Sequence, residues 1–569
     1  MRFSTVTIRY VLVSLWYVNR IKKIRLYGSF SKNRIFVAGL LRVVKMKLAI
    51  AQLDYTIGDF DANKTKIINA VERAKGDGAD LVVFAEEAIC GVPAYDLLNR
   101  VNFLNMCEET LLEVASHCHG IAALVGVPVQ ENGWTVSAAA FIRDGKVRSH
   151  VTRRYVIQRD DASFIYPGCG CGAVEVNGHR IAVVVGEDVM CPDQYSGFAD
   201  TIVNVGSSKY ARQRIEKRYD FLGNVAYRSG ANVVFVNQIG GNTDVIYDGS
   251  SAVFDAKGRP VALLASFKED YRVIDLSVDN APLELPYQDK TRNVYNAIKL
   301  GLKDFFVKNG YTKACLGLSG GIDSAVVAAL AVEVLGAENV RVLLMPSQFS
   351  SDHSVEDAMH MVRILGMQYD VVHITDIYKS VMDNMSDVFA GHDKFGVTEE
   401  NIQARIRGML LMALSNKFGH ILLNTSNKSE LALGMGTLYG DNAGMLSLIG
   451  DVYKGEVYDI ARYINRNGEI IPENILLKAP SAELRPEQKD TDYLPAYDVT
   501  DSILYRMIEE GQSREEIINA GFDADVVHKI YGMILKNEQK RYQFCPVLRV
   551  STCTFGKLRV MPITSKYGF

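Results

Sequence analysis

A short glycine-rich segment carries the strongest chemical signal in the chain. Residues 317–324 read GLSGGIDS and stand between an apolar run and the helical sequence AVVAALAVEVL. Adjacent glycines let backbone N–H groups approach phosphate oxygens, and a helix N-terminus adds partial positive charge. Asp323 stands where a Walker loop has its cation, and a carboxylate beside phosphates implies a bridging Mg²⁺. The pattern therefore predicts a nucleotide-phosphate site, the alternative being a Gly-Gly turn with an Asp or Ser helix cap.

The elements around this loop indicate parallel βαβ units. Four apolar runs separated by helical stretches are predicted strands, namely KACLGLS (313–319), VRVLLMPS (340–347), YDVVHIT (369–375) and HILLNTS (420–426). Five further runs predict a layered α/β domain before them: LVVFAEEAICG (81–91), AALVGVPV (122–129), IAVVVGED (181–188), DTIVNVGSS (200–208) and NVVFVNQIGG (232–241). Proline and charge around residues 278–292 indicate a linker, so the predicted domains are 46–277 and 293–569.

Composition limits the classes of function. The chain has 569 residues, with 48% hydrophobic and 23% charged side chains, which fits at least two globular domains. A net charge of −3 gives no polycation for a nucleic-acid backbone. The nine cysteines are scattered without a CxxC pair, so neither a disulfide framework nor a zinc ribbon is indicated. These features favour a reducing compartment, and we expect a cytoplasmic protein.

Residues 1–45 differ from the rest of the chain. They hold ten Lys or Arg and no acid, and their apolar run at 11–18 is too short to span a bilayer. The sequence changes abruptly at Met46 into KLAIAQL, a candidate first strand. We interpret residues 1–45 as a basic extension, either non-native or a targeting segment. Without it, Lys and Arg number 53 against 66 acids, a net charge of −13.

The second half resembles a known family. The loop at 317–324 resembles that of the N-type ATP pyrophosphatases, and residues from about 290 to 569 resemble an NAD⁺ synthetase. The motifs are MPSQFSSDHS (345–354), TEENIQARIRG (398–408), NTSNKSELALGMGTLYGD (424–441), DVYKGEVY (451–458), PSAELRPEQKDTDYLP (480–495) and TFGKLRVMPI (554–563). The resemblance implies a Rossmann-like parallel-sheet domain. It also implies ATP-dependent amidation of deamido-NAD⁺ to NAD⁺ through an adenylate, with release of AMP and pyrophosphate.

The resemblance also implies roles for individual residues. The ATP-binding set is Gly317, Leu318, Ser319, Gly320, Gly321, Ile322, Asp323, Ser324 and Thr425. Deamido-NAD⁺ contacts fall on Asn401, Glu430 and Lys540, and the candidate Mg²⁺ ligands are Asp323 and Glu430. Capping and solvated-helix roles are the structural alternatives. Two positions depart from the family, where Gln348 replaces an arginine and Ser426 replaces a glycine.

Residues 46–277 resemble the nitrilase-fold glutaminase domain of glutamine-dependent NAD⁺ synthetases, an α-β-β-α sandwich. The supporting segments are KLAIAQLDYTIGDFDANKTKI (47–67), FAEEAICGVPAYDLL (84–98) and VNQIGGNTDVIYDGSS (236–251). That family hydrolyses glutamine with a Glu base, a Lys and a Cys nucleophile. Glu86 matches the base, but Gly186 stands at the nucleophile and His150 falls near the expected lysine.

Three functions remain after this comparison. The sequence favours an ATP- and Mg²⁺-dependent ligase that takes ammonia, supplied in the cell by a separate source, because glycine offers no nucleophile. The alternatives are a catalytically silent partner of an active paralogue, and glutamine hydrolysis through another cysteine such as Cys191, Cys169 or Cys171. We expect a homo-oligomer that binds neither nucleic acid nor membrane.

Overall fold

The computed structural model describes residues 46–156, 160–191, 197, 199–392, 394–481, 483–486, 488 and 495–566. Its first half contains two six-stranded sheets. The first sheet has the order β14-β1-β2-β3-β4-β5, with β1 Lys47–Gln52, β2 Leu81–Val83, β3 Ala122–Glu131, β4 Trp134–Arg143, β5 Lys146–Thr152 and β14 Asp270–Asp275. The second has the order β13-β12-β9-β8-β7-β6, with β6 Gly172–Val176, β7 His179–Val185, β8 Thr201–Val205, β9 Asn232–Val236, β12 Ala252–Phe254 and β13 Pro260–Leu263.

Apolar side chains that alternate between the two faces of each strand pack these sheets face to face. Leu48 and Ile50 of β1 join Val183 and Val185 of β7 in one apolar cluster between the sheets. The intervening Ala49 packs on the other face of β1. The helices on that outer face are α1 (Phe60–Gly76) and α2 (Val101–Ser116), and α3 (Arg214–Ser229) covers the second sheet. The period of two along each strand therefore builds the expected α-β-β-α sandwich.

Three tight hairpins connect strands of the sandwich. The turns are Asn132-Gly133, Asp144-Gly145 and Asn177-Gly178, and all six residues have positive φ. This is the type I′ geometry, whose twist matches that of the flanking antiparallel strands. The turns join β3 to β4, β4 to β5 and β6 to β7.

The second half is built on a five-stranded parallel sheet of order β17-β16-β15-β18-β19. The strands are β15 Ala314–Gly317, β16 Val340–Leu344, β17 Gln368–Val371, β18 Ile421–Asn424 and β19 Leu446–Ser447. The helices are α4 Lys290–Asn309, α5 Ile322–Leu335, α6 Asp352–Leu365, α7 Thr375–Met385, α8 Val397–Phe418, α9 Lys428–Leu433, α10 Lys454–Ile464, α11 Glu473–Leu477, α12 Tyr497–Ile508, α13 Arg514–Asn519, α14 Ala524–Lys536 and α15 Glu538–Tyr542. The strand order reverses at β15, because β16 and β17 follow on one side of it and β18 and β19 on the other. Ligands of such folds bind at this point.

The two halves pack closely on one another. The hairpin of β10 (Ile239–Asn242) and β11 (Val245–Asp248) lies against α4, the first helix of the second half. A Cβ built on Gly241 would lie 2.9 Å from the Cα of Gly301, so the two backbones nearly touch. Lys308 Nζ donates to Asp54 Oδ1 at 2.6 Å and to the Gly241 carbonyl at 3.0 Å. Both halves contribute to one continuous apolar cluster.

The predicted fold class is confirmed, and so is a strand in each of the nine apolar runs. The parallel sheet of the second half is as expected, whereas the antiparallel pairing of β4, β5 and β6 was not predicted. Among the described residues, no helix combines the length and the apolar character needed to cross a membrane.

Candidate active site

The glycine-rich loop lies between the end of β15 and the start of α5, as the sequence predicted. Gly320 has a φ of +77°, and a Cβ there would lie 2.2 Å from the Ser354 carbonyl oxygen, so only glycine fits. Ser319 Oγ accepts the Gly321 N–H at 3.2 Å, and Ser324 Oγ donates to the Gly321 carbonyl at 3.0 Å. These bonds fix a tight loop over the N-terminus of a fourteen-residue helix, a geometry suited to phosphate.

Asp323, Glu430 and Lys454 meet beside this loop. Lys454, the first residue of α10, forms an ion pair with Asp323 and lies 3.5 Å from Glu430 Oε1. Asn427 Nδ2 donates to Asp323 Oδ1 at 2.9 Å. Burial disfavours the charged ammonium, but the two carboxylates outweigh it and raise the pKa of Lys454. The structure thus brings together both proposed metal ligands and adds a lysine that the sequence analysis missed.

This arrangement fits a magnesium ion that is shared with phosphates. The Lys454 ammonium lies against both carboxylates, so their oxygens converge on a position that suits a cation. Within the described residues, no three His, Cys, Asp or Glu side chains gather as a metal site. Mg²⁺ is commonly held by one or two carboxylates plus substrate phosphates, which matches a site with two protein ligands.

The residues proposed for the dinucleotide substrate surround the segment that follows α9. Thr437 Oγ1 donates to Asn401 Oδ1 at 2.7 Å. Lys540 Nζ donates to the carbonyls of Gly434 and Gly436 at 2.6 and 2.8 Å, and burial lowers the pKa of Lys540. Asn401 and Lys540 therefore hold the same short segment. Thr425 lies half-buried immediately after β18, next to the strand that leads into the phosphate loop.

The positions that depart from the family are ordinary in the structure. Ser426 is buried, and its N–H donates to Asn424 Oδ1 at 2.8 Å. The Asn424 side chain also donates to the carbonyls of Asp441 and Ala443. Gln348 lies exposed after β16. Ser426 therefore fits its turn without strain.

In the amidase-like half, Glu86 is fully buried and its carboxylate is saturated. It accepts hydrogen bonds from Ser137 Oγ at 2.8 Å and Ser207 Oγ at 2.5 Å. Arg153 Nη1 adds contacts at 2.8 and 3.1 Å to the two carboxylate oxygens. Four contacts use the acceptor sites that a general base would need.

The Arg153 side chain fills the space beside Gly186. A Cβ built on Gly186 would lie 2.5 Å from Arg153 Nη1 and 2.6 Å from its Cζ. Gly186 also has a φ of +56°, which side-chain-bearing residues rarely adopt. Arg153 forms a second ion pair with Glu187 and donates from Nε to the Tyr155 carbonyl at 2.6 Å. The Arg153 guanidinium therefore occupies the space that a side chain at position 186 would enter.

The structure places His150 away from Glu86 and Arg153 beside it. His150 lies in β5 opposite Ala140 with its side chain exposed, whereas Arg153, just after the strand, reaches Glu86. Arg153 is thus the residue beside Glu86, and the signal that could have found it was the basic pair Arg153-Arg154 just after the alternating sequence of β5.

The remaining room in this site is small. The cavity between the two sheets' ends has a volume of about 20 Å³ and is lined by Val92, Pro93, Arg153, Asp160, Asp161, Glu187, Ser207, Lys209 and Tyr247. That volume holds roughly one water molecule. Among the described residues no cysteine lines this cavity. Cys191 lies at the end of the turn 186–190 and hydrogen-bonds with Tyr155.

Comparison with known proteins identifies the family. Residues 47–281 match the carbon-nitrogen hydrolase family and residues 294–544 match the NAD synthase family. The glutamine-dependent NAD⁺ synthetase of Thermotoga maritima is 37% identical over 92% of this chain and 99% of its own length. The chain belongs to the glutamine-dependent NAD⁺ synthetases. The synthetase of Synechocystis is 39% identical over 91% of this chain and 99% of its own.

A solved member of the NAD⁺ synthetase family supports the same conclusion. The structure of glutamine-dependent NAD⁺ synthetase from Acinetobacter baumannii in complex with ADP has a TM-score of 0.73 and 34% identity. The match covers 91% of this chain and 98% of that one. The protein is therefore an enzyme, a carbon-nitrogen ligase. Because the chain belongs to this family, the half built on the parallel sheet is the part that carries the nucleotide chemistry.

Proposed function

We propose that this NAD⁺ synthetase amidates deamido-NAD⁺ with ATP and Mg²⁺, and that its nitrogen donor is ammonia and not glutamine. The family supports the first part of the proposal. The second part is carried by one observation, the Arg153 guanidinium 2.5 Å from a Cβ built on Gly186. Covalent cleavage of glutamine needs a thiolate at this position. Glycine supplies none, and the adjoining cavity has a volume of only about 20 Å³.

The reaction divides into two displacements. In the first, an oxygen of the nicotinate carboxylate attacks the α-phosphorus of ATP and pyrophosphate leaves. In the second, ammonia attacks the carbonyl carbon, AMP leaves and a proton is lost to give the amide. The N–H groups of residues 317–324 would bind phosphate oxygens, and Lys454 would neutralise charge on them. Asp323 and Glu430 would hold Mg²⁺, which neutralises developing phosphate charge.

We propose the same substrate roles as the sequence analysis did. Thr425 and residues 317–324 would contact ATP, while Asn401, Glu430 and Lys540 would contact deamido-NAD⁺. The segment 434–437, held by Asn401 and Lys540, supports a shared substrate wall. We propose the domain limits 46–277 and 293–569, a cytoplasmic location and a separate ammonia source. We also propose that the chain forms a homo-oligomer, which light scattering on the purified protein tests.

The alternative is a catalytically silent partner. The assembled Asp323, Glu430 and Lys454 argue against it, because their convergence beside an intact loop serves nucleotide chemistry. In the amidase-like half, Gly186 offers no nucleophile. The ligase half, in contrast, keeps all three of these charged side chains. We therefore favour an active ligase with a silent amidase domain.

The test is NAD⁺ formation from deamido-NAD⁺, ATP-Mg and ammonium. We expect NAD⁺, AMP and pyrophosphate in equal amounts. Asp323→Asn should lower the rate by about 100-fold or more, because it removes charge that stabilises the phosphate transition state. Glu333→Gln, which removes a carboxylate from the other end of α5, is the control and should stay within about threefold. Equal rates in both variants would contradict the assignment of the loop.

A further inference from the structure

Arg212 of the amidase-like half reaches into the ligase half. Its side chain is 15% exposed, and Nη2 donates to Glu456 Oε2 at 2.6 Å and to the Asp451 carbonyl at 2.7 Å. Its backbone N–H donates to the Val550 carbonyl at 2.9 Å. Every acceptor of these three hydrogen bonds lies in the ligase half. The residue therefore sits at a fixed contact between the two halves, just ahead of α3.

The contact falls on the first turn of α10. Glu456 Oε2, which accepts from Arg212, also accepts the Tyr453 N–H at 3.0 Å and so caps this helix. Burial disfavours the guanidinium's charge, but Glu456 and Asp451 outweigh it and raise the pKa of Arg212. Arg212 thus holds, as a permanent cation, the carboxylate that fixes where α10 begins.

The other side of the same turn is held from within the ligase half. Asp501 Oδ2 accepts the Gly455 N–H at 2.8 Å, and its Oδ1 accepts from Ser429 Oγ at 2.5 Å. Ser429 Oγ in turn accepts the Lys454 N–H at 3.0 Å. The start of α10 therefore lies between Asp501 on one side and Arg212 on the other. Loss of either leaves the turn held from one side only.

Lys454 is the residue that this clamp positions. It is the first residue of α10, and its ammonium contacts Asp323 of the phosphate loop and Glu430. Arg212 is separated from this ammonium by the Glu456 carboxylate and a single helical turn. A displacement of about 1 Å in a catalytic group costs up to about 100-fold in rate. Small shifts at the start of α10 would therefore reach the ATP site.

We infer that Arg212 is a positioning residue for the ligase reaction, through which the amidase-like domain holds Lys454 against the phosphate loop. The inference rests on the proposed function of the ligase half. It gives the amidase-like domain a role that needs no nucleophile. The domain completes the ATP site by supporting one of its helices.

Arg212→Ala in the full chain tests this role. We expect kcat/KM for ATP to fall by about 10- to 100-fold, whereas KM for deamido-NAD⁺ changes by less than about threefold. Guanidinium ion at millimolar concentration should restore part of the loss in this variant. Glu456→Gln, which can still cap α10, should show the same selective effect on ATP, and the double variant should be no worse than either single one.

Two controls separate positioning from general weakening. Lys308→Met breaks the interface at Asp54 and Gly241, away from the start of α10, and should keep kcat/KM for ATP within about threefold even if its melting temperature falls equally. Lys217→Ala removes an exposed cation from α3 and should also stay within that range.

The experiments that test the role of Arg212 can be distinguished from the experiment that tests the proposed function. Wild-type turnover with ammonium tests that function, whereas ATP affinity by equilibrium dialysis compares the variants even without turnover. An ATP affinity lowered in Arg212→Ala and unchanged in Lys308→Met supports the inference. Values within threefold of wild type in Arg212→Ala, or an equal loss in Lys308→Met, overturn it. If Arg212→Ala does not fold, an unaltered Glu456→Gln overturns it.

Discussion

Arg153 joins a fully buried acidic side chain, Glu86, to a partly buried one, Glu187. Its guanidinium pairs with Glu86, which is fully buried, and with Glu187, and Arg153 itself is only 1% exposed. A buried ion pair contributes little net stability over an apolar substitute, but removing one partner leaves an uncompensated charge. The three residues therefore form an ion cluster, which we propose is structural.

Removing Arg153 should be strongly destabilising. We expect Arg153→Met to lower the free energy of unfolding by about 3–5 kcal/mol, because Glu86 and Glu187 lose their counter-charge. Adding Glu86→Gln should recover part of the loss. Arg148→Met, on the exposed part of β5, should cost less than about 1 kcal/mol. Urea-unfolding midpoints measure these differences, and equal midpoints for Arg153→Met and Arg148→Met would contradict the cluster's role.

Under the proposed function, placing a cysteine at position 186 should not produce amidase activity. We expect Gly186→Cys to release no glutamate and to unfold at a lower urea concentration than the wild type. The clash with Arg153 should lower its free energy of unfolding by about 1–3 kcal/mol. Gly178→Cys is the matched control. Gly178 has a φ of +76°, similar to the +56° of Gly186, but open space around its Cβ position. The difference between the two variants isolates the clash, and a Gly186→Cys as stable as Gly178→Cys would show that Arg153 leaves room.

At the scale of elements, the start of α10 depends on a buried acid of α12. Burial raises the pKa of Asp501 from 3.8 to about 6. Because the folded state binds this proton more tightly than the unfolded state does, the stabilisation is present below pH 3.8 and is lost as the pH rises through about 6. The change corresponds to about 3 kcal/mol.

The variant Asp501→Asn should remove this pH dependence. We expect the melting temperature of the wild type relative to Asp501→Asn to be higher at about pH 4.5 than at about pH 7.5, since asparagine does not titrate. Asp498→Asn changes an exposed acid of the same helix and serves as the control. A wild-type advantage that is equal at both pH values, or that grows with pH, would refute the shift.

Several elements could be predicted from sequence because local chemistry determines them. The runs at 313–319 and 340–347 are continuous apolar segments, as strands buried on both faces must be. The Asn-Gly and Asp-Gly turns at 132, 144 and 177 also signalled hairpins, although the sequence analysis did not use them. Pairing across the sheet could not be predicted, because it depends on contacts between distant segments.

The candidate site divides in the same way. The loop 317–324 was predicted because one continuous segment supplies the adjacent glycines and also the start of the following helix. Lys454 was missed because its partners, Asp323 and Glu430, lie on other elements. Arg153 was missed because its partners, Glu86 and Glu187, lie on distant segments of the chain. Contacts between residues far apart in the chain leave only a weak pattern in the local sequence, so the sequence does not predict them.

At the scale of the whole molecule, the two halves form a single interlocked body. Asp160 and Asp244 of the amidase-like half both pair with Arg549 of the ligase half, at 2.5 and 2.8 Å. Arg549 is 4% exposed, and its neighbour Ser551 donates to Asp451, which also binds Lys428. Burial opposes ionisation of Asp451, but Lys428 and Arg212 lower its pKa. The amidase-like domain is thus joined to the ligase half by buried ion pairs.

The central claim concerns the source of nitrogen, and isotope labelling tests it directly. The purified wild type would receive deamido-NAD⁺, ATP and Mg²⁺ with equal concentrations of ammonium and glutamine, of which one carries ¹⁵N in its ammonium or amide group. The mass of the NAD⁺ formed then reports which donor was used, even where glutamine contains traces of ammonium. We expect the label to enter NAD⁺ from ammonium and not from glutamine. Label entering NAD⁺ from the glutamine amide would contradict the account.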